Sequence, residues 1–136
     1  MVKVGDIIEE WDFHVEAGKV REFARAVHDA HAEDTMIAPP TFPVVAAAGF
    51  VERLVATTLA LDRSRTVHGE QSYDYLEPIV AGDLLHCRAR LTGDTVKAGK
   101  RGGAMRIITI EVEYRSAASG RLICRETMTT IEKGAA

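Results

Sequence analysis

The side chains best suited to proton chemistry gather in one short stretch, where His28, Asp29, His31, Glu33 and Asp34 lie close together in the chain. Imidazole titrates near neutral pH, so His31 beside Asp29 is a candidate pair for moving a proton. A second candidate stretch is Thr66-Val67-His68-Gly69-Glu70-Gln71. Each has a plainer alternative. His28 and Asp29 serve equally as the polar end of a helix. Strict alternation puts His68 and Gln71 on opposite faces of a strand. His68 is then a surface or interface histidine, and Gln71 beside Tyr73 satisfies buried polar groups. Gly69 within a strand suggests a bulge or a close backbone approach. No Cys-x-x-Cys and no zinc-type spacing occurs. Cys87 and Cys124 sit in strand-like runs and are expected as reduced core thiols of a cytoplasmic protein.

The elements that must position these residues follow from hydrophobic periodicity. Trp11 to Val15 alternates as a first strand. Ala17 to Ala30 carries Val20, Phe23, Ala24 and Val27 at helical spacing. Ile37-Ala38-Pro39-Pro40 is extended, because a residue before proline is pushed out of the α region. Thr41 to Leu61 is then expected as one long central helix, with Thr41 as N-cap and Pro43 in the first turn. It is apolar nearly all round, so something must bury it. Glu52 and Arg53 in its middle exclude a membrane span. Asp62-Arg63-Ser64-Arg65 ends it.

Strands follow over Thr66 to Leu76, Leu84 to Leu91, Ala104 to Tyr114 and Arg121 to Ile131. Leu85, Cys87, Ala89 and Leu91 share a face, as do Ile108, Ile110, Val112 and Tyr114. One polar face per strand means antiparallel pairing. An α+β hot-dog architecture results, an antiparallel sheet wrapped around one long helix. Its exposed edge strand is expected to join a second subunit.

The 136 residues make one domain, 1–136, and 46% apolar with 27% charged residues is ordinary for a soluble globular chain. A net charge of −3 gives no bulk attraction to nucleic acid. No secretory segment opens the sequence. Lys97, Lys100 and Arg101 cluster in a glycine-rich loop. That loop is a solvated hairpin tip, or a contact for phosphate groups or an acidic protein.

The run Thr66 to Gln71, continued by Tyr73-Asp74-Tyr75-Leu76-Glu77-Pro78-Ile79-Val80-Ala81-Gly82-Asp83, resembles the MaoC-like dehydratases, or (R)-specific enoyl-CoA hydratases. Ile37 to Pro43 and Lys19 to Ala24 are similar to the same family, so the likeness covers nearly the whole chain. It is closest to the degenerate, non-catalytic half of the family and to the partner subunit of heterodimeric (3R)-hydroxyacyl-ACP dehydratases. The resemblance implies reversible addition of water to a trans-2-enoyl thioester on CoA or acyl carrier protein, with no metal or redox cofactor. It implies an Asp and a His as the proton-handling pair, and a homodimer or heterodimer of hot-dog chains. It places substrate against Pro40, Thr41 and Phe42 at the start of the helix, and against His68, Gly69 and Gln71. Backbone N–H groups at that helix start would polarise the thioester carbonyl.

The family's Asp-x-Asn-Pro-x-His motif is incomplete here. Asp29 matches, but His31, Ala32 and Asp34 stand at the Asn, Pro and His positions. An ordinary carboxylate is ionised at neutral pH and is a poor proton donor. Three readings stay open: a non-catalytic subunit that holds the acyl chain, a self-sufficient homodimer using Asp29 with His31 or His68, and a thioesterase or acyl-binding module.

Overall fold

Period-two alternation in the second half of the chain folds into one five-stranded antiparallel sheet. The computed structural model describes residues 1–134, so the last two residues of the expected 1–136 domain lie outside the described residues. The elements are β1 (Ile7–His14), α1 (Ala17–Ala26), α2 (Pro43–Arg53), a π-helical turn (Leu54–Thr58), β2 (Thr66–Tyr75), β3 (Leu84–Ala98), β4 (Ala104–Ser116) and β5 (Leu122–Lys133). The strand order is β1-β3-β4-β5-β2, so β1 and β2 are the edges. Leu85, Cys87, Ala89 and Leu91 of β3 and Ile108, Ile110, Val112 and Tyr114 of β4 are fully buried on the expected face.

The central helix α2 packs on that face. Phe42, Ala46, Phe50 and Leu54 recur every four residues, which stacks them along one side of a helix, and all are buried. Trp11 of β1 stacks on Phe50 with ring centroids 5.1 Å apart, and its indole N–H donates to the Ala46 carbonyl at 3.0 Å. Phe13 and Phe23 meet Phe42 edge-on, at 6.2 and 5.7 Å. Burying each such ring stabilises the fold by about 1.5–3 kcal/mol. The architecture is the expected α+β hot-dog. Among the described residues no helix is long and apolar enough to cross a membrane.

Several element boundaries differ from expectation, beginning with β1, which starts at Ile7 rather than Trp11 and ends at His14. The central helix starts at Pro43 and becomes π-helical at Leu54, so it is shorter than Thr41 to Leu61. Thr41 is not its N-cap. Phe42 takes that place in helical geometry, and the Val44 and Val45 N–H groups donate to the Thr41 and Phe42 carbonyls at 3.2 and 2.9 Å. Beyond the π turn, Ala60 has φ of 48°, a left-handed conformation that ends the helix. Helix α1 stops at Ala26 rather than Ala30. His28 has φ of 59°, and the His28 and Asp29 N–H groups close back on the Arg25 and Ala24 carbonyls at 3.0 and 2.9 Å. That is a Schellman-type stop with histidine at the position glycine usually holds. Strand β3 runs beyond its expected limit because its polar end pairs with the start of β4 as a ribbon, where Arg106 clamps Asp94 through bonds of 3.0 and 2.8 Å, and β4 gains Arg115 and Ser116 at its far end, opposite His86 and Leu85.

The bulge expected at Gly69 is present, since the β2–β5 register shifts between His68 and Glu70. A Cβ on Gly69 would lie 3.0 Å from Ile131 Cδ1 and 3.3 Å from the Thr129 carbonyl oxygen. The bulge corrects the assignment of faces. His68 opposes Thr130, Gln71 opposes Met128 and Tyr73 opposes Glu126, so His68 and Gln71 share the inward face and Val67 does not. Cys87 and Cys124 are free thiols. Both pair with Tyr114, from opposite sides. Two strand spacings put them about 9–10 Å apart, beyond the roughly 7 Å reach of a disulfide.

Candidate functional site

Residues 27–36 form a turn-rich loop between α1 and the approach to α2. Asp29 is half-buried, and its Oδ1 accepts the His31 backbone N–H at 2.8 Å. The Asp34 and Thr35 N–H groups both donate to the His31 carbonyl, at 3.0 and 2.9 Å. Arg25 grips Glu33 through two bonds of 2.5 and 2.8 Å, which ties the loop back to α1. The Arg25 guanidinium holds the Glu33 carboxyl below its ordinary range. Ala32 is buried under the loop, while His31, Glu33 and Asp34 are exposed. Asp29 and His31 are thus brought together by a backbone contact, with one Asp29 oxygen committed to shaping the turn.

The approach to α2 is fixed from three sides. The Ala38 N–H donates to the Ile79 carbonyl at 2.8 Å. The Tyr75 hydroxyl, from edge strand β2, donates to the Pro40 carbonyl at 2.7 Å. Phe42 is fully buried between Phe13 and Phe23, so its ring anchors the helix, whereas Pro40 and Thr41 are exposed. The Val44 and Val45 N–H groups are occupied within the first turn, which removes them from the donors expected to meet a thioester carbonyl.

A groove of about 410 Å³ opens between the helix and the β2–β5 side of the sheet. Val44, Ala47, Ala48 and Val51 form its aliphatic wall, with Glu52, paired to Arg63, at one end. His68 and Gln71 from β2 and Glu126, Met128 and Thr130 from β5 form the facing wall. Of the residues expected at a site, the structure brings His68 and Gln71 together here. Asp29 and His31 do not line this groove.

Glu126 is the group that alternation alone did not single out. It is a charged residue with no exposed surface, placed between Cys124 and Met128 on the inward face of β5. That position was visible as a carboxylate inside an otherwise apolar period-two run. Its Oε1 accepts from the Tyr114 hydroxyl at 2.6 Å, and its Oε2 accepts from Gln71 Nε2. The same Gln71 Nε2 donates to the Tyr73 hydroxyl at 2.6 Å. Burial pushes the Glu126 carboxyl above its ordinary range, and the hydrogen bonds from Tyr114, Gln71 and Tyr73 offset this only in part. Burial also raises Tyr73, Tyr75 and Tyr114, which keeps their hydroxyls as donors at neutral pH, and lifts both cysteines to about 12. A weakly acidic carboxyl held among neutral donors can give or accept a hydrogen bond.

A second hollow, of about 460 Å³, lies at the β3–β4 hairpin tip, lined in part by Lys100, Arg101, Met105 and Lys133. It is remote in the fold from Asp29, and Lys97 is not among its lining residues. Among the described residues no cluster of His, Cys, Asp and Glu is arranged to hold a metal ion.

Sheet, helix and groove together define a hot-dog domain of the dehydratase kind. The sequence matches the family described as FAS1-like, dehydratase domain region, over residues 3–126, and the chain belongs to that family. A UPF0336 protein from Thermobifida fusca is 34% identical over 132 residues, covering 88% of this chain and 84% of that protein. A solved MaoC-like dehydratase superposes with a TM-score of 0.79 at 26% identity, covering 98% of this chain, which spans only 42% of that neighbour's length. The HadBC (3R-hydroxyacyl-ACP dehydratase) complex from Mycobacterium tuberculosis shares the fold, with a TM-score of 0.73 at 24% identity over 94% of this chain and 96% of that one. The resemblance to MaoC-like dehydratases expected from residues 37–43 and 66–83 therefore holds.

Proposed function

We propose that this chain is the acyl-holding, non-catalytic subunit of a two-chain (3R)-hydroxyacyl-thioester dehydratase. The observation that carries the proposal is the 29–34 loop. Asp34 stands where the family places its imidazole, and the retained Asp29 uses an oxygen to cap the His31 N–H. Elimination of water needs a base to take the C2 proton and an acid to protonate the departing C3 hydroxyl. A second hot-dog chain with an intact Asp and His would supply both. This chain would supply the groove beside α2, with Ala47 and Ala48 leaving room for an acyl chain carried on CoA or acyl carrier protein. Edge strand β2 offers an unpaired ladder for joining the two sheets. The HadBC neighbour, a complex described as acting on a hydroxyacyl-ACP, supports the two-chain reading.

The self-sufficient homodimer is favoured by one feature, the contact that holds His31 against Asp29. Hydration of crotonyl-CoA and of a longer enoyl-CoA, by the purified chain and by its mixture with a homologue bearing Asp-x-Asn-Pro-x-His, separates the readings. The expected result is no turnover alone, and turnover on mixing above that of the homologue. Turnover by the chain alone, lost in Asp29→Ala and His31→Ala, would overturn the proposal. Release of free thiol would instead identify a thioesterase.

A further inference from the structure

Positive charge collects at one end of a chain whose net charge is −3. Lys100, Arg101 and Lys133 line the hollow of about 460 Å³ at the β3–β4 hairpin tip. Neighbouring cations are neutralised, Arg106 by Asp94 and Arg65 by Asp62. The three lining cations have no carboxylate partner among the described residues. Glu132, next to Lys133 in β5, is committed through Oε2 to the Asp62 N–H at 2.7 Å. The turn adds neutral donors. The Gly99 N–H donates to the Gly103 carbonyl at 2.8 Å, and the Gly102 N–H to the Gly99 carbonyl at 3.2 Å. Gly102 and Gly103 take left-handed φ values of 84° and 74°. That winding leaves the Lys100 and Arg101 N–H groups without an acceptor among the described residues. Consecutive free N–H groups in a turn form a concavity suited to an anion.

We infer that the β3–β4 tip is a binding site for a diphosphate, taken as free pyrophosphate or as the head of a nucleoside diphosphate. One phosphoryl group carries about −1.5 to −2 at neutral pH, so two are needed to balance three cations. The donors surround a recess of small-molecule size rather than a flat patch, which favours a compact anion over the acidic face of a protein. The inference is independent of the acyl-holding reading. Met105 pairs with Lys133, and alternation puts both on the face of the sheet away from Thr130. Thr130 lines the groove beside α2, so hollow and groove open on opposite faces.

The test is calorimetric titration of the purified chain, without divalent cations, with inorganic phosphate, pyrophosphate and adenosine diphosphate. Pyrophosphate is expected to saturate one site and to bind about tenfold tighter than phosphate, the factor for a further charge-assisted contact. Lys100→Gln, Arg101→Gln and Lys133→Gln are each expected to weaken it about five- to tenfold, and the triple variant to abolish it. Gly102→Ala, which keeps every charge but strains the turn, is expected to weaken it too. Lys97, across Met105 from Lys133 and outside the lining, is the control. At two strand spacings, about 10 Å, its charge is largely screened at physiological salt, so Lys97→Gln is expected to change affinity less than about twofold. Tighter binding of adenosine diphosphate than of pyrophosphate supports a nucleotide source, and the reverse supports the free anion. No saturable binding of either, binding retained in the triple variant, or equal weakening by Lys97→Gln and Lys100→Gln would overturn the inference. So would capture of an acidic polypeptide at the tip by a chain that ignores pyrophosphate. All these variants lie at an exposed tip, and unchanged circular dichroism melting checks that they fold.

Discussion

Replacing Glu126 by Gln keeps the shape of the buried side chain and removes its ionisation. The carboxyl is fully buried and titrates above the ordinary value of 4.5. In the unfolded chain it loses its proton near 4.5, while the folded protein retains that proton to higher pH. Between those two values the unfolded state binds fewer protons, so stability falls as pH rises. The contribution is whole below 4.5, declines through the window up to the raised folded value, and is flat above it. Inside the window the slope approaches about 1.4 kcal/mol per pH unit for one group. Glu126→Gln abolishes that slope. The amide can still accept from Tyr114, and Gln71 can reverse its own amide to meet it, so the net cost of substitution at the acid end is about 1 kcal/mol. Urea unfolding at stepped pH, followed by circular dichroism, gives the difference between wild type and variant. Other groups cancel in that difference, including Asp94, which Arg106 holds below its ordinary range and whose contribution is lost only in stronger acid. Parallel stability profiles for the two proteins would refute a buried, upward-shifted Glu126.

Two further predictions concern the scaffold. Phe50→Ala empties the position stacked on Trp11 and is expected to cost about 3–5 kcal/mol, lowering the melting temperature by roughly 10 °C or more in a thermal scan. His28→Gly relieves a left-handed conformation at the end of α1 and is expected to raise stability in denaturant titration by about 1 kcal/mol, whereas His28→Val is expected to lower it.

The sheet was legible because each strand repeats apolar residues at every second position, as in Leu85, Cys87, Ala89 and Leu91, and no helix shares that period. The start of α2 was legible through Pro43, whose ring suits a first turn. Its far end was not. Composition stays apolar through Leu59 and Leu61, and the π turn and the left-handed Ala60 are backbone events without a marker in residue type. The end of α1 was overrun for a related reason, since His28 holds a place where glycine would have announced the stop. Within β2 the bulge at Gly69 was foreseen, but counting alternation straight through it sent His68 to the wrong face. Glu126 obeys the same alternation as its neighbours. It escaped notice because hydrophobic periodicity gives no weight to a charged residue on the inward face, which is where a buried polar group carries most information.

The bulge separates the length of β2 from its pattern of faces. Thr66 to His68 and Glu70 to Tyr75 hold a continuous register with β5 on either side of Gly69, and only Gly69 has no opposite number. A chain lacking that residue would still set His68 opposite Thr130 and Gln71 opposite Met128. Loss of that one unpaired residue leaves the pairing of the groove wall intact, so a relative one residue shorter there can keep the same lining. Spacing along the sequence is therefore a poor guide to homology of site residues across this strand, and pairing with β5 is the better ruler.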